Sequence, residues 1–198
     1  VASFGAESIS SGTYPVVLDK KVVSSLLDAF SNIFSANSVL KNMSFLKDKL
    51  GEEVFGKNIT LIDDPLFWEA QQQYSFDDEG VATCTKAVVE NGVLKTYLHN
   101  LKTAAMMQVK STGNGFKNSV NSSVDIQPAN LYLKAGDTSL EEMFKQLQNG
   151  VYITSVAGLH AGLNPISGSF NLQSSGFLIE NGRKTKPVTL IIISGTLQ

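Results

Sequence analysis

Residues 177–184 read Phe-Leu-Ile-Glu-Asn-Gly-Arg-Lys, in which an apolar run and Glu180 lead to Asn181-Gly182, and basic residues follow. Asn-Gly supplies the two positive φ angles of a type I′ turn, which joins two antiparallel strands through a two-residue loop. Residues 87–95 repeat the pattern around Asn91-Gly92. Such turns recur for local reasons, so the two segments predict two β-hairpins and do not indicate an internal repeat.

More strands are predicted outside these hairpins, because short β-branched and apolar runs lie between turn residues. A polar stretch rich in Ser, Asn and Gly, residues 111–127, predicts a long loop. The predicted strands cover residues 58–62, 81–90, 131–133, 151–156 and 188–194.

Two helices are predicted. Over Lys20–Ala36, apolar residues recur at helical spacing, and Asp19 stands where an N-cap belongs. Over Ser139–Gln148, Ser139 and Glu142 have the spacing of a capping box, and Gly150 is the expected C′ residue. The apolar face of the first helix comprises Val22, Val23, Leu26, Leu27, Phe30, Ile33 and Phe34, and that of the second comprises Leu140, Met143, Phe144 and Leu147.

The order of these elements indicates an α+β fold with a largely antiparallel sheet, arranged as one domain over residues 1–198. Charged residues make up 17% of the chain, below the roughly 25% of typical soluble domains. This shortfall suggests that part of the surface meets a partner. The net charge of −2 argues against nucleic-acid binding, and no apolar run is long enough to span a membrane. The lone cysteine, Cys84, predicts a reducing, cytoplasmic location.

Few residues have the spacing of a catalytic site. The acidic turn Phe76–Gly80 contains Asp77, Asp78 and Glu79, which could bind a cation or an amine, although such runs are also common in solvated turns. Asp63-Asp64-Pro65 is more simply a turn, because proline restricts the residue before it. Ser111–Gly115 lacks the ending of a phosphate-binding P-loop. His99 is predicted to be structural, whereas small residues around His160 leave room for a ligand.

Several segments taken together resemble the TldD/PmbA family, also called modulator of DNA gyrase. Their order and spacing match over nearly the whole chain, whereas no single motif is diagnostic. The segments are residues 14–18 (Tyr-Pro-Val-Val-Leu), 76–81 (Phe-Asp-Asp-Glu-Gly-Val), 90–94 (Glu-Asn-Gly-Val-Leu), 111–115 (Ser-Thr-Gly-Asn-Gly), 162–168 (Gly-Leu-Asn-Pro-Ile-Ser-Gly) and 175–182 (Ser-Gly-Phe-Leu-Ile-Glu-Asn-Gly).

The resemblance implies a metallopeptidase fold in which TldD-type chains carry an HExxxH zinc motif on a helix. Here the two histidine positions hold Asp28 and Ile33, and the general-base position holds Ala29. Isoleucine cannot bind zinc and alanine cannot activate water. The chain is therefore identified as a PmbA (TldE) type, with no catalytic and no metal residues of its own. By the same resemblance, family members carry further segments before and after this region, so the chain is expected to be a fragment of a longer one.

The function that this resemblance implies is a non-catalytic subunit of a cytoplasmic zinc metallopeptidase that processes peptides or unfolded polypeptides. Its partner would be a TldD-type subunit, which would carry the zinc, or a second copy of the chain. Two alternatives stay open: a stand-alone metal-dependent hydrolase using Asp77, Asp78, Glu79 and His160, and a modulator of DNA gyrase. The candidate peptide-cleft residues are Asp77, Asp78, Glu79, Ser111, Gly113, Asn114, Gly115, His160, Asn164 and Pro165.

Overall fold

The computed structural model describes residues 6–197, a range that contains α-helices, β-strands and one short 3-10 helix. The helices are α1 (Lys20–Phe30), α2 (Ala36–Leu40), α3 (Leu101–Met107) and α4 (Leu140–Leu147). The strands are β1 (Val16–Leu18), β2 (Leu61–Asp63), β3 (Lys86–Glu90), β4 (Val93–Leu94), β5 (Gly115–Phe116), β6 (Asp125–Ile126), β7 (Leu131–Leu133), β8 (Gly150–Ala157), β9 (Leu163–Asn164), β10 (Ser169–Glu180) and β11 (Arg183–Thr196).

The described residues form two compact units whose segments alternate along the chain. Unit 1 contains the residues up to Ala29, then Gly136–Asn164 and Ser169–Thr196. Unit 2 contains Phe30–Ala135 together with Pro165–Gly168. The assignment of residues 1–198 to one domain stays a prediction. The α+β class with mostly antiparallel pairing is confirmed.

Unit 1 is built on one sheet with the strand order β1-β8-β10-β11, in which β9 also pairs with β10. Pairing is parallel between β1 and β8 and antiparallel elsewhere. The hairpin predicted at Asn181-Gly182 joins β10 to β11, and the φ angles of these residues, 52° and 72°, are those of its turn. The sequence therefore located the tightest connection in the sheet correctly.

The core of unit 1 forms where α1 covers this sheet. Val22 and Leu26 of α1 belong to one buried cluster with strand residues such as Val151 and Ile153. Asp19 caps the helix as predicted, because its carboxylate accepts the Lys21 N–H at 2.9 Å and its carbonyl accepts the Val23 N–H.

A smaller cluster of unit 1 involves α4. The predicted capping box is confirmed, since Ser139 and Glu142 each accept the other's backbone N–H. The prediction of the buried face was only partly right: Phe144 is buried, whereas Leu140 and Met143 are exposed. The prediction for Gly150 was wrong, because Gln148 takes the positive φ of 60° that ends the helix and Gly150 begins β8.

Unit 2 contains a sheet with the order β4-β3-β2-β7 and a separate pair, β5 and β6. The hairpin predicted at Asn91-Gly92 joins β3 to β4 with φ angles of 49° and 82°. The stretch predicted as one long loop, residues 111–127, contains the β5–β6 pair. The sequence analysis also missed α3, which is short and has no wide apolar stripe.

The first helix is shorter than predicted. Beyond Phe30 the chain tightens into the 3-10 helix Ser31–Phe34, and Ser35 is extended, with φ −69° and ψ 125°. Here the backbone pairs with Leu98, within unit 2: the Leu98 N–H donates to the Phe34 carbonyl, and the Leu98 carbonyl accepts the Ala36 N–H at 2.9 Å. This pairing replaces two helical hydrogen bonds, so α2 starts as a separate helix.

Candidate functional site

The acidic turn is organised around the carboxylate of Asp77, which is only 2% exposed. One oxygen, Oδ1, accepts the backbone N–H groups of Glu79 and Val81 at 3.0 and 2.9 Å. The other, Oδ2, accepts the N–H of Gly115 at 2.9 Å. A carboxylate with three N–H donors has little capacity left for a ligand, so Asp77 fixes the turn and ties it to β5.

The two neighbouring carboxylates, Asp78 and Glu79, also connect the acidic turn to other segments of unit 2. Asp78 is exposed, and its Oδ2 accepts the Lys117 N–H at 2.7 Å. Glu79 accepts the N–H of Leu101 at 2.7 Å, in the first turn of α3. An anionic group is favourable there, because helix N-termini expose unpaired N–H groups. Of the three acidic residues, Asp78 is exposed, Glu79 is half-buried and Asp77 is buried.

The loop Ser111–Gly115 lies against the backbone carbonyl of His99, which accepts hydrogen bonds from the side chains of Ser111 and Thr112 at 3.2 Å. Gly113, Asn114 and Gly115 are buried. A Cβ atom on Gly115 would lie 2.6 Å from a carboxylate oxygen of Glu79, so a larger residue here would displace the Glu79 side chain from its present position. The loop is thus a packed connection whose last three residues are buried.

A buried polar cluster, which the sequence analysis did not predict, binds this loop on its interior side through Asn114. The Asp63 side chain is 0% exposed, and its Oδ2 accepts from the Lys86 ammonium at 3.1 Å and from the Asn114 amide at 2.8 Å. Its Oδ1 accepts the N–H groups of Ala129 and Asn130. The available sequence signal was an aspartate at the end of an apolar run, which was interpreted as the start of a turn.

His99 is buried beside this loop. Among residues 6–197 its Nδ1 atom has no hydrogen-bond partner. Burial lowers the pKa of the His99 imidazole, because the charged form loses its hydration. The prediction that His99 is structural agrees with this position.

The remaining candidates belong to a different stretch of chain. His160, Asn164 and Pro165 are exposed; His160 precedes β9, and Asn164 pairs with Ser169 in the β9–β10 ladder. His160 and Asn164 are part of unit 1, whereas the acidic turn and the 111–115 loop are part of unit 2. The structure therefore brings Asp77, Asp78, Glu79 and Gly115 together, and groups Ser111 with Asn114 around His99.

Comparison with known proteins gives matches that cover nearly the whole chain. Residues 11–198 match the family model for the PmbA/TldA metallopeptidase C-terminal domain. The chain belongs to the PmbA/TldD metallopeptidase family. It is 34% identical to a Methanocaldococcus jannaschii metalloprotease, over 97% of this chain and 42% of that protein. It is 30% identical to the metalloprotease PmbA homolog of Haemophilus influenzae, over 100% of this chain and 42% of that protein.

Two solved structures of the family have a similar fold. A proposed DNA gyrase modulator from Thermotoga maritima is 46% identical, with a TM-score of 0.90, over 97% of this chain and 44% of that one. TldE from Thermococcus kodakarensis is 25% identical with the same TM-score, over 99% of this chain and 44% of that one. The chain thus spans less than half the length of these relatives.

The residues of this chain do not fit the zinc that the family name implies. At the HExxxH positions, Asp28 and Ala29 are exposed on α1, and Ile33 is 1% exposed. Among the residues that the structure describes, no group of three His, Cys, Asp or Glu side chains could hold a metal ion. The alternative site of Asp77, Asp78, Glu79 and His160 therefore has no assembled ligand set. In the same range, no helix is both long and apolar enough to cross a membrane.

Proposed function

We propose that this chain is part of a PmbA/TldE-type subunit without catalytic residues, which assembles with a TldD-type metallopeptidase subunit in the cytoplasm. The observation that carries the proposal is that the HExxxH positions hold Asp28, Ala29 and Ile33 in this chain. An isoleucine in the hydrophobic interior replaces one histidine, and no other described residues supply a ligand set. A family member that keeps the fold and lacks the ligands is simplest to explain as a partner of a zinc-bearing chain.

The substrate of the assembly is proposed to be a peptide or an unfolded polypeptide. Such a substrate is extended, and exposed polar side chains and backbone groups can hold it without a deep pocket. Of the candidate cleft residues, Asp78, His160, Asn164 and Pro165 are exposed, and Glu79 and Ser111 are half-buried. These six are proposed to contact substrate, whereas Asp77, Gly113, Asn114 and Gly115 shape the surface from inside.

The test uses the full-length protein that contains this chain, mixed with a TldD-type subunit that has an intact HExxxH motif. Cleavage of an unfolded polypeptide is expected from the mixture and not from either subunit alone. Elemental analysis should find zinc in the TldD-type subunit and none in this one. A TldD-type subunit that is fully active alone, or zinc bound at one equivalent by this chain, would contradict the proposal.

Two substitutions separate the proposed roles. Asp78→Ala should lower the rate of the mixture, because it removes an exposed carboxylate that can bind basic groups of the substrate. Asp28→Ala changes the former zinc-motif position and should leave the rate unchanged. Asp125→Ala, at the exposed residue of β6, is the matched control for removing a surface carboxylate. Equal rates for Asp78→Ala and the control would remove Asp78 from the cleft.

A further inference from the structure

Residues 64–74 form a compact loop of unit 2 that connects β2 to the acidic turn. The two ends of the loop are close together, because the Tyr74 N–H donates to the Pro65 carbonyl at 2.9 Å. The side-chain amide of Asn130 adds a second closure, since it donates to the Gln72 carbonyl at 3.1 Å. Compact surface loops whose ends meet are frequently functional. This loop therefore has a defined conformation without containing a helix or a strand.

The loop packs one aromatic side chain against the sheet of unit 2 and exposes two apolar ones. Phe67 stacks on Tyr132 of β7, with the ring centroids 4.9 Å apart. Trp68 is 78% exposed and Leu66 is 54% exposed. Because Phe67 anchors the loop, packing does not require the other two side chains to be apolar. An exposed tryptophan on an ordered loop is typical of a contact residue, since tryptophan is enriched among the residues that dominate binding energy.

The loop and the acidic turn are fixed to the same strand of unit 2. The ring of Tyr74 lies against Phe116 of β5, with the centroids 5.0 Å apart, and Asp77 ties the acidic turn to β5 through its Oδ2 atom. Phe76, at the start of the acidic turn, is 67% exposed. It adds a third exposed apolar side chain to the two of the loop.

This region also has an unusual charge. Residues 58–85 contain six acidic residues and no Lys, Arg or His, in a chain whose net charge is only −2. The six are Asp63, Asp64, Glu69, Asp77, Asp78 and Glu79. Asp63 and Asp77 are buried and accept hydrogen bonds from internal donors, whereas Glu69 and Asp78 are exposed. Among the described residues, no ion pair involves either exposed carboxylate.

We infer that this region is a docking surface for an unfolded polypeptide segment that carries both apolar and basic side chains. The docking surface consists of five exposed residues, Leu66, Trp68, Glu69, Phe76 and Asp78. Trp68 and Phe76 contact the apolar side chains of the segment, and the carboxylates of Glu69 and Asp78 attract its basic ones. Acidic segments are repelled, so the surface selects by charge as well as by apolar contact. This assignment rests on the proposed function, and it narrows the substrate class to basic, apolar segments.

The first test measures peptide binding to the 198-residue chain, in which Trp68 is the only tryptophan. The probe is a short, unstructured peptide of Lys, Leu, Gly and Ser, and its control is the same peptide with Glu in place of Lys. We expect the tryptophan emission to shift to the blue with the basic peptide, because the indole leaves water, and to saturate with a Kd of about 10–100 μM. The acidic peptide should cause no shift. Raising the salt concentration should weaken binding of the basic peptide, because salt screens exposed charges.

Variants locate the contact, with binding of a fluorescein-labelled basic peptide measured by anisotropy. Trp68→Ala and Glu69→Lys should each raise the Kd at least about fivefold, because the first removes the largest apolar contact and the second reverses a charge. The matched controls are Leu50→Ala and Glu141→Lys, at exposed residues outside the docking surface, and these should leave the Kd unchanged. The unfolding midpoint of each variant confirms that it folds.

The second test determines whether the docking surface is open in the full-length protein that contains this chain. Acrylamide quenching of its tryptophan fluorescence is compared between the wild type and Trp68→Phe. The fluorescence that this substitution removes is expected to be readily quenched. A Trp68 that acrylamide cannot reach, equal binding of the basic and acidic peptides, or an unchanged Kd for Trp68→Ala would each overturn the inference.

The two proposals fail separately, because peptide binding is measured without the TldD-type subunit. An inactive mixture of the two subunits would contradict the proposed function and leave the docking surface in place. An active mixture in which this chain binds no basic peptide would contradict only the docking surface.

Discussion

The side-chain amide of Asn114 donates a hydrogen bond of 2.8 Å to the carboxylate of Asp63, and both side chains are completely buried. The Asn114 amide also donates to the Gln127 carbonyl, and its oxygen accepts from the Thr112 hydroxyl at 2.7 Å. Asn114 is therefore committed to the protein interior. Its contribution to any peptide cleft must come through the shape of the loop that it holds.

Removing Asp63 should be among the most destabilising single changes in unit 2. Asp63→Ala leaves the Lys86 ammonium, 10% exposed, without its counter-charge and leaves the N–H groups of Ala129 and Asn130 unpaired. We expect a loss of about 3–5 kcal/mol in the free energy of unfolding, measured by chemical denaturation. The control Asp125→Ala should change it by less than about 0.5 kcal/mol. Similar values for both variants would show that the cluster contributes little.

Asn114→Ala should cost less than Asp63→Ala. It removes two donated hydrogen bonds and leaves Asp63 with three donors, so a loss of about 1–3 kcal/mol is expected. Asn114→Asp should be worse than alanine, because it places a second carboxylate against that of Asp63. The order of the three unfolding free energies checks the description of the cluster. A stable Asn114→Asp variant would contradict it.

Two glycines with nearly the same φ separate backbone strain from steric overlap. Gly80 has φ +78° and open space where a Cβ would lie, so Gly80→Ala should cost about 1 kcal/mol. Gly92 has φ +82°, but a Cβ there would lie 2.4 Å from the Phe55 carbonyl oxygen. Gly92→Ala should therefore cost at least about 1 kcal/mol more than Gly80→Ala. Equal losses in thermal unfolding would mean that the hairpin relaxes away from Phe55.

The core of unit 1 is tested at Leu26, which is 6% exposed between α1 and the sheet. Leu26→Ala should lower the free energy of unfolding by about 2–5 kcal/mol, because the vacated space cannot fully collapse. Leu50→Ala, at a residue that is 55% exposed, serves as the control and should be nearly neutral. A neutral Leu26→Ala would place α1 outside the core.

What the sequence predicted correctly depends on interactions between near neighbours. Asn-Gly turns require only two φ angles, and the Ser139–Glu142 capping box closes within one helical turn, so both were predictable. The break at Ser35 depends on residue 98, far along the chain. Periodicity alone favours an uninterrupted helix there, because the competing hydrogen bonds to Leu98 are tertiary.

The candidate site shows the same division. The acidic turn was predictable because its three carboxylates are adjacent in the sequence. A purely structural turn was one of its two interpretations. The Asp63 cluster was missed because Lys86 and Asn114 follow Asp63 by more than twenty and fifty positions, respectively, and meet it only in the fold. The side chains of Lys86 and Asn114 carry no local signal of burial, so sequence alone could not group them.

The pH dependence of stability should report on His99. Burial lowers the pKa of its imidazole from 6.5, so on acidification the unfolded chain takes up a proton before the folded chain does. The contribution of neutral, buried His99 is then fully present above pH 6.5 and is lost progressively as the pH falls below it. His99→Gln should flatten the fall in unfolding free energy between about pH 7 and pH 5, relative to wild type. His160→Gln, at an exposed histidine, is the matched control for the replacement of an imidazole by an amide. Parallel curves for wild type and His99→Gln would mean that His99 is protonated equally readily in the folded chain.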